Sequence, residues 1–215
     1  MTYPERTLAT AILLVLFTGG LYRPSPAVAN ISFVSPNTYE VGIPRDYVLT
    51  WAHPKDMGRQ IKSQWCWAAS VQMVLNMAHV QVTQEEIVKR TFGREENLPA
   101  TVLQMMTALD GWSSTDQKKR IVVRAFIEPS YDQILMDLYL NYPVILILKF
   151  RGQKTGHAVV ITAARYKILG NKKQILYFLV RDPWPQNPSS EILESRLFKG
   201  VKGAIGIRIL LKKAE

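Results

Sequence analysis

The sequence predicts an α+β fold in which a layer of helices packs against an antiparallel β-sheet. Helical hydrophobic patterns follow residue 60, whereas segments rich in Val, Ile, Leu, Phe and Tyr dominate the second half of the chain. This segregation is typical of α+β proteins, because regular alternation of helices and strands would indicate a parallel sheet. The turn at residues 169–173 contains Gly and Asn between two apolar segments, so these segments are expected to pair as an antiparallel hairpin.

Residues 1–29 have the pattern of a Sec-type signal peptide. Arg6 supplies a positive charge, residues 8–22 are apolar, and Ala27-Val28-Ala29 places small residues where a signal peptidase reads. The apolar stretch is shorter than the roughly 20 residues that a transmembrane helix needs, although an uncleaved membrane anchor is the alternative. We therefore expect cleavage near Ala29 and a secreted or periplasmic mature protein.

Residues 30–59 are expected to form an N-terminal arm ahead of the main domain, residues 60–215. Between residues 30 and 54 the chain mixes short apolar runs with Pro and Gly. This composition favours extended segments over helices.

Four segments of the main domain have helical patterns. Their expected bounds are residues 66–80, 83–92, 99–109 and 130–141. The first helix is apolar almost all round, which predicts that it is central and buried. The second helix opens with the capping box Thr83-Gln84-Glu85-Glu86 and ends at Gly93.

Five further segments are rich in β-branched, aromatic and other apolar residues, which favours strands. Their expected bounds are residues 120–127, 144–150, 158–168, 174–180 and 201–210.

Composition excludes several classes of protein. The chain has 215 residues, of which 47% are hydrophobic and 20% charged, so it can form one packed domain and is not wholly disordered. Its one cysteine excludes an intramolecular disulfide, a zinc ribbon and an iron–sulfur cluster. The three histidines are widely spaced and show no metal-ligand pattern. No cofactor is therefore expected.

Cys66 is the first candidate for chemistry. It stands where a loop becomes the first long helix, so its sulfur would lie near the unsatisfied N–H groups of the first turn. A nearby histidine would then favour the reactive thiolate form. A solitary cysteine is more often a small buried hydrophobe, but three companion residues favour the reactive interpretation.

The first companion is Gln60, six residues before the cysteine. Its side-chain amide could donate to an oxyanion that forms beside the sulfur. Gln64 competes for this role, but it is only two residues from the cysteine and is not expected to point into the same site.

The other companions are His157 and Asp182. His157 begins an apolar strand, and the preceding Gly156 leaves room for a substrate backbone. Asp182 follows the next strand. In an antiparallel hairpin the start of one strand lies beside the end of the other, so Asp182 can reach His157. The carboxylate would orient the imidazole and stabilise its charged form.

Together these motifs resemble the papain-like cysteine peptidases in their compact bacterial form, the secreted and effector proteases with a C-W-A-A-S nucleophile motif. The motifs that carry the resemblance are Gln60-x5-Cys66-Trp67-Ala68, Gly156-His157-Ala158 and Asp182-Pro183-Trp184. The resemblance covers roughly residue 48 to the C-terminus and implies a papain-like fold whose central helix carries the nucleophile. It implies the following roles: nucleophile Cys66, acid/base His157, orienting residue Asp182 and oxyanion donor Gln60.

The resemblance implies an exported cysteine peptidase that acts on a protein or peptide substrate. The chain departs from papain by having Ser63-Gln64-Trp65 in place of a second cysteine and glycines, and Trp65 is expected to alter the non-primed cleft. Asp182 stands where papains have Asn. A Cys-His-Asp acyltransferase of the transglutaminase or phytochelatin-synthase type shares these parts and is the alternative function. A papain-fold binding protein without turnover is a third, which the intact triad disfavours.

The formal net charge of +10 favours anionic partners. The basic clusters Lys118-Lys119-Arg120, Lys172-Lys173 and Lys212-Lys213 are compatible with contact to anionic cell-envelope material. They are not interleaved with aromatic residues, so nucleic acid is not expected as a partner. The protein is expected to be a monomer.

Overall fold

A computed structural model describes residues 30–52, 58–116, 119–127, 130–149, 152, 154–187 and 191–213. The expected signal peptide lies outside these ranges, as do Lys118 of one basic cluster and Phe150 at the end of an expected strand. The helices within the described ranges are α1 (Arg45–Ala52), α2 (Cys66–Met77), α3 (Gln84–Phe92), α4 (Val102–Leu109), α5 (Tyr131–Tyr139) and a 3₁₀ helix (Ser195–Gly200). The strands there are β1 (Asn30–Ser35), β2 (Thr38–Gly42), β3 (Ser113–Asp116), β4 (Lys119–Ile127), β5 (Val144–Leu148), β6 (His157–Leu169), β7 (Lys172–Arg181), β8 (Glu191–Glu194) and β9 (Val201–Lys213).

These strands join in one antiparallel sheet, with the order β1-β2-β6-β5-β9-β4-β3. The long strand β6 organises it. Along one edge, the first half of β6 pairs with β5 and the second half pairs with β2. The other edge pairs with β7, which in turn pairs with β8. The predicted hairpin is therefore present as β6 and β7, joined by a turn at Gly170, which has φ 59°.

The two faces of the sheet bury two hydrophobic clusters. Because side chains alternate along a strand, Ala158 and Val160 of β6 face a cluster formed with α1 to α4. Val159 and Ile161 face the other cluster, which contains the apolar side of α5. This arrangement confirms the predicted α+β fold with a central helix on an antiparallel sheet, and it places α5 on the opposite face from α2.

The helix ends follow the predicted chemistry closely. At the start of α3, the Thr83 hydroxyl accepts from the Glu86 N–H and the Glu86 carboxylate accepts from the Thr83 N–H, which confirms the capping box. Gly93 ends α3 in the left-handed conformation, with φ 78°. The other helices are shorter than predicted at one or both ends; α4, for example, begins at Val102 because Thr101 is its N-cap. No described helix is long and apolar enough to cross a membrane.

The N-terminal arm contains a helix that the sequence analysis did not predict. The extended segments are present as β1 and β2, but Arg45–Ala52 is the helix α1, so the prediction of extended chain is wrong there. Trp51 and Ala52 lie three and four residues after Val48, and all three are buried. This spacing gives α1 one apolar stripe that packs against α2. The surrounding Pro and Gly residues concealed this short pattern.

Candidate active site

Cys66 is the first residue of α2 and carries a free, partly buried thiol. Trp65 occupies the N-cap position and makes no side-chain cap, so the N–H groups of the first turn remain available beside the sulfur. One turn further on, the Ser70 hydroxyl donates to the Ala158 carbonyl at 3.2 Å. Since Ala158 follows His157, this bond sets the helix that bears the thiol against the strand that bears the imidazole.

His157 and Asp182 lie together at one end of the sheet. His157 is the first residue of β6 and pairs with Leu148, the last residue of β5. Asp182 directly follows β7, and its Oδ1 lies 2.8 Å from Nε2 of His157. His157 also lines the same cleft as Cys66, and the Cys66 side chain acts to raise its pKa, so the imidazole lies close to both the thiol and the carboxylate.

This arrangement favours the charged imidazolium. Burial by itself disfavours the charge, but the hydrogen bond to Asp182 and the interactions with the Asp182 and Cys66 side chains outweigh it and raise the pKa of His157 to about 10. Burial likewise acts to raise the pKa of Asp182, but the hydrogen bond and charge of His157 prevail and hold it below its usual value. Both shifts indicate that the stable ionisation state is a charged imidazolium paired with the Asp182 carboxylate.

The Asp182 carboxylate accepts further hydrogen bonds that fix its orientation. The Trp184 N–H donates to Oδ1 at 2.8 Å, and the Asn187 amide donates to Oδ2 at 2.9 Å. The Arg59 guanidinium donates to the carbonyl oxygens of Asp182 and Trp184 at 3.0 and 2.8 Å. Sequence reasoning missed Arg59 and Asn187, because neither belongs to a motif and their roles depend on the path of the loop after β7.

Gln60 lies in the same cleft as Cys66 and His157. Its side-chain amide donates to the carbonyl oxygens of Lys62 and Ser63, both at 3.0 Å. Its Oε1 is buried and accepts no hydrogen bond from the described residues. The Gln60 backbone N–H donates to the Pro183 carbonyl at 2.9 Å, which connects this residue to the loop that carries Asp182.

The cleft above these residues has a volume of about 420 Å³. It is lined by Gln60 and Ser63 from the loop before α2, by Cys66 at the start of α2, by the segment Lys154–His157, and by Trp184 and Asn187. Gln64 also lines it, so the expectation that Gln64 points elsewhere is wrong. Trp65 of this loop points into the protein core: it is 0% exposed, and its indole N–H donates to the Glu96 carbonyl. Trp65 therefore does not shape the cleft wall, contrary to the sequence-based expectation.

Residues 50–200 match the model of the Peptidase_C39 like family. No curated protein matches the chain.

The solved structures that are similar to the chain include two peptidases. One is the crystal structure of a double glycine motif protease from an AMS/PCAT transporter in complex with the leader peptide. It is 16% identical with a TM-score of 0.44, and the match covers 72% of this chain and 89% of that one. The other is the peptidase domain of Streptococcus ComA, a bifunctional ABC transporter involved in a quorum sensing pathway. It is 15% identical with a TM-score of 0.46, and the match covers 71% of this chain and 95% of that one.

Proposed function

This chain belongs to the Peptidase_C39 like family and is a cysteine peptidase, and from that premise we propose that it cleaves peptide bonds with a Cys66-His157-Asp182 triad. The observation that carries the proposal is the position of His157, which lies 2.8 Å from the Asp182 carboxylate and lines the same cleft as the Cys66 thiol. Cys66 and His157 line an open cleft where a peptide can reach the sulfur, and the buried Asp182 contacts His157 from outside the cleft lining.

Acylation follows from this geometry. The Cys66 thiolate attacks the carbonyl carbon of the scissile bond, and the electron pair of the C=O bond moves to oxygen. The Cys66 backbone N–H and the Gln60 amide donate to that oxyanion, for which the Gln60 side chain rotates and gives up one of its bonds to the Lys62 and Ser63 carbonyls. As the intermediate collapses, the C–N bond breaks and the imidazolium of His157 transfers its proton to the departing amine.

Deacylation uses the same residues in reverse. The neutral imidazole of His157 takes a proton from water, and the resulting hydroxide attacks the thioester carbon. Collapse breaks the C–S bond and restores the thiolate beside the imidazolium. Throughout the cycle Asp182 remains ionised and holds the ring in position, which the bonds from Trp184 and Asn187 make possible.

We expect water to be the acyl acceptor. The cleft is open to solvent and its described lining is largely polar, so these described residues do not exclude water from the thioester. The test is a proteome-wide profile of new peptide termini produced by the mature protein, with Cys66→Ala as control, repeated with added glutathione or a primary amine. Free carboxyl termini under all conditions support hydrolysis, whereas amide or glutathione adducts as the main products would show acyl transfer.

We also propose that the protein is exported, because residues 1–29 have a signal-peptide pattern and β1 begins directly after them at Asn30. The expected result is a mature protein whose first residue is Asn30. Terminal mass spectrometry of the protein from its native source measures this. A native protein that still begins at Met1 or Thr2 would mean that the apolar stretch is retained as an anchor.

A further inference from the structure

Gln84 is a buried polar residue with no role in the steps above. It is the first residue of α3 and is only 3% exposed. Its amide Nε2 donates to the Arg59 carbonyl at 2.7 Å, and its Oε1 accepts from the Ile61 N–H at 3.3 Å. The two bonds therefore hold the backbone on either side of Gln60.

This pair of bonds imitates the pairing of a β-strand. A residue of a parallel strand also donates to the carbonyl of the residue before, and accepts from the N–H of the residue after, the one it faces. On its other edge, Gln60 donates its own N–H to the Pro183 carbonyl. The backbone of Gln60 is thus fixed between helix α3 and the loop that carries Asp182, although it is not part of any strand.

We propose that Gln84 is a positioning residue that acts through Gln60 and sets the oxyanion site of the peptidase. The inference rests on the proposed oxyanion role of Gln60. An oxyanion donor is effective only when it is held within hydrogen-bond distance of the developing charge, and a small displacement of such a group can cost as much as about 10²-fold in rate. Gln84 supplies that constraint because it holds the chain at both neighbours of Gln60.

Gln72 provides a matched control within the same polar cluster. Its Nε2 donates to the Val82 carbonyl, and its Oε1 accepts from Gln84 at 3.2 Å. It is 5% exposed, close to the value for Gln84. No described hydrogen bond joins Gln72 to residues 59–61. Loss of either amide removes buried hydrogen bonds, but only the loss of Gln84 releases the backbone around Gln60.

The test compares Gln84→Met with Gln72→Met, both checked for folding by circular dichroism. Gln84→Met is expected to lower kcat about 10- to 100-fold with KM little changed, because oxyanion stabilisation acts in the transition state. Gln72→Met is expected to keep kcat within about threefold of the parent. In a Gln60→Ala background the effect of Gln84→Met should nearly vanish, because residues that act through one another are not additive.

Alkylation of Cys66 by iodoacetamide separates positioning from a general structural effect, because alkylation forms no oxyanion. Gln84→Met is expected to leave this rate unchanged. Three results would overturn the proposal: equal kcat losses in the two methionine variants, a loss that persists in the Gln60→Ala background, or a slower alkylation of Cys66 in Gln84→Met.

If Gln84→Met does not fold, Gln84→Glu replaces it. The Glu carboxylate cannot donate to the Arg59 carbonyl, so kcat relative to the parent should fall. This relative kcat should recover at acidic pH, where the carboxyl group regains its proton. A parent protein without Cys66-dependent turnover would instead refute the proposed function.

Discussion

Replacing Cys66 with alanine is expected to abolish turnover while the protein stays folded. Among the described residues that line the cleft, Cys66 is the nucleophile of the proposed triad, and removal of a nucleophile costs at least about 10⁴-fold in kcat. The stability cost is small, because Cys66 is partly exposed and only one sulfur atom is removed. Peptide hydrolysis and a thermal unfolding curve on the same preparation measure the two effects.

The reactivity of the thiol gives an independent check on the same residue. The proposed triad places His157 where it can activate the Cys66 thiol for attack, so iodoacetamide is expected to modify the native protein at pH 6 much faster than it modifies free cysteine. Urea-unfolded protein is the control, since unfolding separates His157 from the sulfur. Equal rates for native and unfolded protein would contradict an activated thiolate, and residual turnover by Cys66→Ala would assign the chemistry to another residue.

The sequence predicted those parts of the site that depend on local pattern and on strand pairing. The Gly170 turn implied that β6 and β7 pair antiparallel, and that geometry alone brings the start of one strand to the end of the other. His157 and Asp182 occupy those two positions and lie 2.8 Å apart. The apolar character of α2 similarly implied a buried central helix, as found.

The sequence did not predict the residues that support the site, because their roles arise from tertiary contacts. Gln84 belongs to the capping-box segment and has the appearance of an exposed helix-start residue, yet it is buried against the backbone around Gln60. Strand β3 was also missed: Ser113–Asp116 has no apolar alternation, and its pairing with β4 is a matter of backbone hydrogen bonds. A polar side chain whose partner is a distant backbone group leaves no periodic signal in a sequence.

Substitutions of His157 and Asp182 are expected to differ greatly in severity. His157 maintains the thiolate and also protonates the leaving amine, so His157→Ala should lower kcat about 10³-fold or more. Asp182→Asn should be much milder, because its side-chain oxygen can still accept from Nε2 of His157 and from the Trp184 N–H. Its new NH₂ group would face the Asn187 amide, which can rotate to present its oxygen instead. Asp182→Ala should lie between the two, since nothing would then orient the ring.

The pH dependence of Asp182→Asn distinguishes a charge effect from an orienting effect. The imidazolium is the acid that protonates the amine, and the pKa of His157 is about 10, so kcat/KM of the parent should fall as pH rises through that value. Removing the Asp182 charge makes the imidazolium less stable and lowers the pKa of His157. The alkaline limb of the pH profile of kcat/KM should therefore move to lower pH in Asp182→Asn. Asp132→Asn is the matched control: Asp132 is exposed and pairs with Lys173 at 3.4 Å, so its loss should leave the limb in place. Two results would contradict a carboxylate that stabilises the charged imidazole. One is an alkaline limb that moves equally in both variants, and the other is an Asp182→Asn enzyme that is less active than His157→Ala.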